Sequence, residues 1–225
     1  MIDIGPPESH RKICPPSPGA CRLVIASHNP GKIAELREML LPYDVDTISA
    51  AELKLPEPKE TGKTFGDNAR IKAVTAANAC GLPALADDSG LEVEALDRAP
   101  GIYSARWAGP DKNFSRAMET IEQKLQERGA TGPETRMGRF VSALCVAWPD
   151  GHTEQFQDSV VGTIVWPPRG DKGFGYDPMF VPDGHLRTFG EMSSEEKHAL
   201  PPRGKGLSHR ARAFVKFAEA CLDKR

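Results

Sequence analysis

Hydrophobic and polar positions along the chain divide it into short apolar runs and longer stretches of helical period. From Arg22 to Ser27 the chain reads RLVIAS and breaks at His28-Asn29-Pro30-Gly31. A short apolar run ending in turn residues predicts a buried strand. Lys32 to Leu41 follows with Ile33, Leu36 and Leu40 at helical spacing, which predicts a helix with one apolar stripe. Another strand is expected around Tyr43 to Ile48, then a Pro- and charge-rich loop, LKLPEPKETG. Phe65, Ala69, Ala73 and Ala76 predict a helix from about Thr64 to Cys80, with Gly81 as its stop. The run ALADD (84–88) reads as a strand, and LEVEAL, alternating apolar and acidic, as a second, half-buried one. Asp88-Ser89-Gly90 between them is good turn chemistry, so a turn is expected there.

A further helix is expected from Phe114 to Arg128. RFVSALCVAW and HTEQFQDSVVGTIVW flank Pro149-Asp150-Gly151, a hairpin signal. The last third reads as a glycine-rich loop, a polar segment and a closing helix from about Ser208 to Leu222. Strands alternating with helices, followed by a long hairpin, predict an elongated α/β fold: a mixed sheet with flanking helices and polar loops at the strand ends, where such folds carry their sites.

Composition narrows this picture. The first 22 residues hold five prolines and no apolar h-region, so residues 1–21 are expected to be a disordered tail and 22–225 a single domain. No stretch reaches transmembrane length. Twenty-nine basic and 31 acidic side chains nearly cancel without a long run of one sign, so neither a nucleic-acid polymer nor a membrane is expected as partner. A small anion held by a few placed cations stays compatible with that balance. Five scattered cysteines without a Cys-x-x-Cys pair suggest neither a disulfide framework nor a zinc knuckle, and a cytoplasmic setting is expected.

Four segments carry candidate chemistry. Ser27 to Lys32 (SHNPGK) sits at a strand-to-helix junction, where N–H groups, the helix dipole and a lysine make a phosphate cradle; the same residues also suit an ordinary cap. It is not a Walker A loop, because Ala26 and Ile33 stand where GxxxxGK[ST] needs Gly and Ser or Thr. Glu60 and the Asp87-Asp88 pair offer hard oxygen ligands from two loops, as Mg²⁺ requires. Their alternatives are a dipole complement for Glu60 and turn residues for the aspartates. Strand side chains alternate faces, so the two aspartates cannot both point one way. Gly173 to Pro178 (GFGYDP) offers close backbone approach and two rings to flank a flat base, or a tight loop capping the core. Ser208-His209-Arg210, with Lys197 upstream, reads as a basic binding group or as solvated surface.

The segments IASHNPGK, ETGKTFGDNARIKA, ALADDSGLEVEAL, APGIYSARWAG, GFGYDPMF and SSEEKHAL…LSHRARA together resemble the inosine triphosphate pyrophosphatase (Ham1/RdgB-like) family, the XTP/dITP diphosphatases. The resemblance implies one catalytic domain after the tail, an elongated mixed α/β fold with a central nucleotide-binding cleft, and a cytoplasmic homodimer. It implies Mg²⁺-dependent hydrolysis of deaminated purine nucleoside triphosphates (dITP, ITP, XTP) to monophosphate and pyrophosphate, which cleanses the nucleotide pool.

Carried over by position, the triphosphate loop falls on Ser27, His28, Asn29, Pro30, Gly31 and Lys32, and the lysine of the next helix on Lys72. The metal-binding acids fall on Glu60 and Asp88, with Asp88 also the proton acceptor and Ser89 a substrate contact. Phe174, Gly175, Tyr176 and Asp177 match the nucleoside-binding segment, Lys197 a further substrate lysine, and His209-Arg210 the base-reading pair. It is the resemblance that selects Asp88 over Asp87. The chain departs from the pattern at LPPRGKGL, an insertion between Lys197 and Arg210, and at Lys59, where many relatives carry a second glutamate. The rival readings are a Maf-like pyrophosphatase for other modified nucleotides and a nucleotide-binding sensor without catalysis, which would need neither acid.

Overall fold

A computed structural model describes residues 10–13, 21–201 and 203–223. In chain order its strands and α-helices are β1 (Arg22–Ile25), α1 (Pro30–Leu40), β2 (Asp46–Ser49), α2 (Phe65–Cys80), β3 (Ala84–Val93), α3 (Ser104–Trp107), α4 (Phe114–Glu127), β4 (Met137–Ala147), β5 (Thr153–Ile164), β6 (Phe180–Pro182), α5 (Ser194–His198) and α6 (His209–Cys221). The strands form one mixed sheet in the order β2-β1-β3-β4-β5-β6. β1 runs parallel to β2 and β3, and the remaining pairs are antiparallel. Among the described residues no helix is long and apolar enough to cross a membrane.

Local chemistry sets most helix ends. Asn29 caps α1 by accepting the N–H groups of Gly31 and Lys32, and Pro30 occupies the first turn, where a missing N–H costs nothing. The helix therefore begins two residues before the expected Lys32. Thr64 and Asp67 form a reciprocal capping box on α2, and Gly81, at φ +68°, ends it in the left-handed region.

The largest departure from expectation is at β3. The predicted ALADD strand and LEVEAL strand are one strand of ten residues without a turn at Ser89-Gly90. Pairing with β4 overrides the local turn chemistry, since every residue from Ala84 (opposite Ala147) to Val93 (opposite Gly138) has a partner.

The strand is buried on both faces. Leu85 joins Leu23, Ile25 and Leu144 under α1 and α6, against Leu36, Leu40, Phe214 and Phe217. Ala84 and Ala86 face the other way, onto the alanines Ala69, Ala73, Ala76 and Ala77 of α2. Small residues on both surfaces let helix and sheet approach closely, the ordinary route to native packing density. A third cluster, including Leu91, Ile121, Phe140 and Phe180, packs α4 beneath the other end of the sheet.

Residues 10–13 lie inside the expected tail yet are docked. Ile13 is 5% exposed within the α1/α6 core and donates its N–H to Cys221 O at 3.0 Å. Cys21 is disulfide-bonded, where the scattered cysteines suggested no disulfide framework; Cys80, Cys145 and Cys221 are free.

Candidate active site

The cleft begins where β1 leaves the sheet. Ala26 still donates its N–H to Leu85 O at 2.8 Å, but Ser27 N turns back to Ile25 O. From there the outer edge of β3 has lost its neighbouring strand, and its backbone polar groups need other partners. Asp87 O, the next acceptor on that edge, receives Lys72 Nζ at 3.0 Å and Lys32 Nζ at 3.4 Å. Farther along, Ser104 Oγ takes the Leu91 N–H at 3.0 Å. Two ammonium groups therefore stand where a strand would have continued, one from α1 and one from α2.

Alternation places the two aspartates on opposite faces. Asp87 points toward α1 and α6. Its carboxylate accepts Lys32 Nζ at 3.1 Å, Arg210 Nη2 at 3.0 Å, Arg210 Nε at 3.2 Å, Ser142 Oγ at 2.6 Å and Ser89 Oγ at 3.1 Å. Burial opposes that charge, but Arg210 and Lys32 outweigh it and hold the carboxyl far below the usual range. Asp88 points toward α2, where Lys72 Nζ lies 2.6 Å from its Oδ1 and 3.1 Å from Glu60 Oε1. Burial raises the Asp88 pKa despite Lys72 and Lys32. Burial alone would lower that of Lys72, but Asp88 and Glu60 reverse the sign. Lys32 is pushed down by burial, with Asp87 opposing and Lys72 and Arg210 adding to the push.

Among the described residues no group of three or more His, Cys, Asp and Glu is placed to hold a metal by itself. Glu60 and Asp88 instead form a pair that converges on one cationic centre, the Lys72 ammonium. Two carboxylates with room for waters and phosphate oxygens suit Mg²⁺, which rarely takes an all-protein cage.

The remaining predicted residues line the same cleft, except Pro30 and Gly31, which do not reach its wall. In the Ser27–Lys32 loop, the N–H groups of Asn29, Gly31 and Lys32 are occupied by Ser27 Oγ and Asn29 Oδ1, and His28 Nε2 lies 2.8 Å from Leu55 O. The loop's contribution to the cleft is thus the Lys32 ammonium, itself paired with Asp87, rather than a row of open N–H groups. A Cβ on Gly31 would come within 2.7 Å of the Phe174 ring, so glycine there lets the GFGYDP segment close over the loop. Lys197 Nζ pairs with Asp177 Oδ2 at 2.8 Å, buried, and burial raises the Asp177 pKa against that lysine. Gly175, at φ +70°, precedes Tyr176, which is 2% exposed. The Tyr176 hydroxyl donates to Ser104 O at 2.9 Å and its ring meets Phe114 edge-on. Of the two rings in this segment, Phe174 is the more accessible.

His209 and Arg210 differ sharply. Arg210 is fully engaged by Asp87, Ser89 and Glu35, the last through a very short bond from Nη1. His209 stacks on Phe140 with ring centroids 4.8 Å apart, and its buried Nδ1 has no partner. Burial, with Arg210 adding to it, pushes its pKa well below the ordinary value, so the ring is neutral at neutral pH. Lys197 and Arg210 reach one cleft because the LPPRGKGL insertion is closed at its base: Ser208 N donates to Lys197 O at 2.9 Å and Gly206 N to Ala199 O at 3.0 Å.

Sequence reasoning passed over Glu35, Ser104, Ser142 and His198. Glu35 is buried, bonded to Arg210 and 3.1 Å from His198 Nε2. Burial opposes its charge, but Arg210 and His198 prevail and bring its pKa to about 2. Its spacing of three from Lys32 on one helix face was the available signal; Ser104 and His198 lie within the segments APGIYSARWAG and SSEEKHAL, and Ser142 had no signal.

The Ham1 family model matches residues 23–220. A dITP/XTP pyrophosphatase of a Bradyrhizobium species is 69% identical over 217 residues, 96% of this chain and 99% of its own length. One from Rhodopseudomonas palustris is 68% identical over 201 residues, 89% and 96% of the two chains. Among solved structures, a HAM1 protein from Coxiella burnetii aligns with a TM-score of 0.77 at 35% identity, covering 88% of this chain and 96% of that one. The Staphylococcus aureus Ham1 protein aligns at 0.74 with the same identity and coverage.

Proposed function

The chain belongs to the Ham1 family, and from that premise we propose that it is a nucleoside triphosphate pyrophosphatase acting on deaminated purine nucleotides, dITP and XTP among them. The products are the nucleoside monophosphate and pyrophosphate. The observation that carries this reading is the pair of ammonium groups, Lys32 and Lys72, gathered at the open edge of β3 beside the carboxylates of Asp88 and Glu60.

A triphosphate repels an attacking oxygen nucleophile until its charge is neutralised. Lys32 and Lys72, both largely buried, supply that neutralisation as fixed charges that act on the charge building up in the transition state. Asp88, buried and raised in pKa, is the group to orient a water toward the α-phosphorus and take its proton. The new oxygen–phosphorus bond forms as the bond from the α-phosphorus to the bridging oxygen breaks, and pyrophosphate departs with that oxygen. Glu60 and Asp88 would hold Mg²⁺, which when bound supplies further neutralisation of the phosphate oxygens. Lys197, held by Asp177, and Ser89 complete the polar lining.

For the base, His209 offers the unpartnered ring nitrogen Nδ1, and Phe174 a ring face. Hypoxanthine and xanthine carry a carbonyl oxygen at C6 where adenine carries an amino group. The Nδ1–H tautomer of His209 can donate to the first and meets another donor in the second, a mismatch of about 1–3 kcal/mol for each buried unpaired group. Arg210 serves this recognition from behind, by holding Asp87 and Ser89. A homodimer in the cytoplasm completes the reading, on family grounds.

The test is incubation with Mg²⁺ and, separately, dITP, XTP, dATP and dGTP, with the released phosphate species identified. Pyrophosphate is expected from dITP and XTP, with dATP turned over at least ten-fold more slowly, roughly the effect of one such mismatch. Orthophosphate as the product, or equal turnover of dATP and dITP, would refute the reading.

A further inference from the structure

Glu60 sits in an irregular stretch between β2 and α2, with no strand or helix of its own to hold it. A loop carboxylate binds a cation well only when the loop is already ordered, since free torsions would otherwise have to be frozen on binding. Two contacts from separate parts of the fold order this one. Asn68, in the first turn of α2 and 1% exposed, accepts the Gly62 N–H through Oδ1 at 2.9 Å. Arg106, in α3, donates from Nη2 to the Glu60 carbonyl oxygen at 3.2 Å, with its guanidinium 4.9 Å from the centroid of the Tyr103 ring.

The seat is tight. A Cβ on Gly62 would stand 2.5 Å from Asp67 Cβ, 2.6 Å from Asn68 Oδ1 and 2.9 Å from Asn68 N. Asp67 Oδ2 accepts the next two N–H groups, those of Lys63 and Thr64, at 3.1 Å each. Asn68 and Lys72 are four residues apart and so share a face of α2. One grips the backbone of the loop and the other its carboxylate.

We infer that Asn68 and Arg106 are positioning residues that clamp the Glu60 loop and thereby set how tightly the site binds its divalent cation. Both act through Glu60, and the inference rests on the reading of Glu60 as a cation ligand. It gives the arginine of APGIYSARWAG a role that the cleft-lining residues of that motif do not fill.

The experiment titrates Mn²⁺ alone, without nucleotide, into the full chain and reads free Mn²⁺ by electron paramagnetic resonance, with thermal melting as the check on folding. Roughly 3–10-fold weaker binding is expected for Asn68→Ala and for Arg106→Ala, the scale of one lost hydrogen bond. Asn68→Asp keeps the acceptor for Gly62 and is expected within about two-fold of the unsubstituted chain. In turnover, the cation concentration for half-maximal rate should rise in step while KM for dITP stays in place. Arg106 is exposed, so its truncation leaves a folded chain to measure even if Asn68→Ala melts. Should Glu60→Gln weaken Mn²⁺ binding while Asn68→Ala and Arg106→Ala bind normally, the clamp is overturned. Should Glu60→Gln bind Mn²⁺ normally, the assignment of Glu60 falls instead, and the clamp with it.

Discussion

Asp87 and Asp88 are chain neighbours whose charges answer to different partners, and that difference makes their substitutions separable. Asp87 is fully buried and neutralises Arg210 and Lys32 together. Removing its charge leaves Lys32 without its carboxylate partner and Arg210 with Glu35 alone, and breaking a buried pair in this way costs about 3–5 kcal/mol in comparable sites. For a chain of this length about 2–4 °C is lost per kcal/mol, so Asp87→Asn should melt roughly 6–20 °C lower. Asp88 keeps one edge toward the cleft, and its Lys72 partner retains Glu60 when Asp88 is changed. Asp88→Asn should therefore melt close to the parent chain and bind dITP nearly as well, while turnover falls about 10²–10⁴-fold, the usual worth of a positioned base. The contrary pattern, an inactive and stable Asp87→Asn beside an active Asp88→Asn, would assign the base to the wrong carboxylate. Alternation along a strand is visible in any sequence, but the identity of what waits on each face is not.

Three elements meet at one buried guanidinium: α1 through Glu35, β3 through Asp87 and α6 through Arg210. The pKa of Glu35 is held at about 2 in the folded chain, against an ordinary value of 4.5. A depressed carboxyl stabilises the fold fully above its unfolded pKa, and that contribution is lost as pH falls from about 4.5 toward 2. The shift corresponds to roughly 3 kcal/mol at neutral pH. Denaturant unfolding of the parent chain and Glu35→Gln should accordingly differ by about that amount at pH 7, and the gap should shrink from about pH 4.5 downward and close only as the pH falls to about 2. Parallel stability curves over that range would remove Glu35 from the account. The same triangle shows where sequence reading ends. The α2 stripe, its Thr64 cap and its Gly81 stop are local signals, and the helix lies where they place it. Asp88-Ser89-Gly90 is also a local signal, for a turn, and it loses to ten consecutive pairings with β4 that lie some fifty residues away. Lys32, Lys72, Asp88 and Glu60 do come together, as the family resemblance implied. The engagement of Arg210 by Glu35 and Asp87 joins residues 175 and 123 positions apart, and no periodicity or motif in the chain states such a contact.

Across the whole molecule, α6 links two regions with separate duties. Its first residues, His209 and Arg210, line the cleft, and its last, Cys221, accepts the Ile13 N–H. Twelve residues of helical rise put these ends about 18 Å apart. At the far end, residues 10–13 fasten the N-terminal segment to the β4–β5 hairpin and to α6. His10 Nδ1 lies 2.6 Å from Glu154 Oε2, Arg11 N donates to Glu154 Oε1 at 2.7 Å, and the Arg11 guanidinium lies 5.0 Å from the centroid of the Trp148 ring. Lys12 Nζ reaches Leu222 O at 3.0 Å. Burial of the Ile13 side chain is the main stabilising term, about 1.5–3 kcal/mol. The cation–π contact adds about 0.5–1 kcal/mol, and the exposed ion pairs little. Removal of residues 1–13 should lower the melting temperature by roughly 4–16 °C, given about 2–4 °C per kcal/mol for a chain of this size. The rate constant kcat/KM for dITP should stay within two-fold, because none of these contacts enters the cleft. An unchanged melting temperature would mean that the segment contributes nothing to the fold. Lost activity without lost stability would mean instead that the N-terminal segment reaches the site by a route the far end of α6 does not provide.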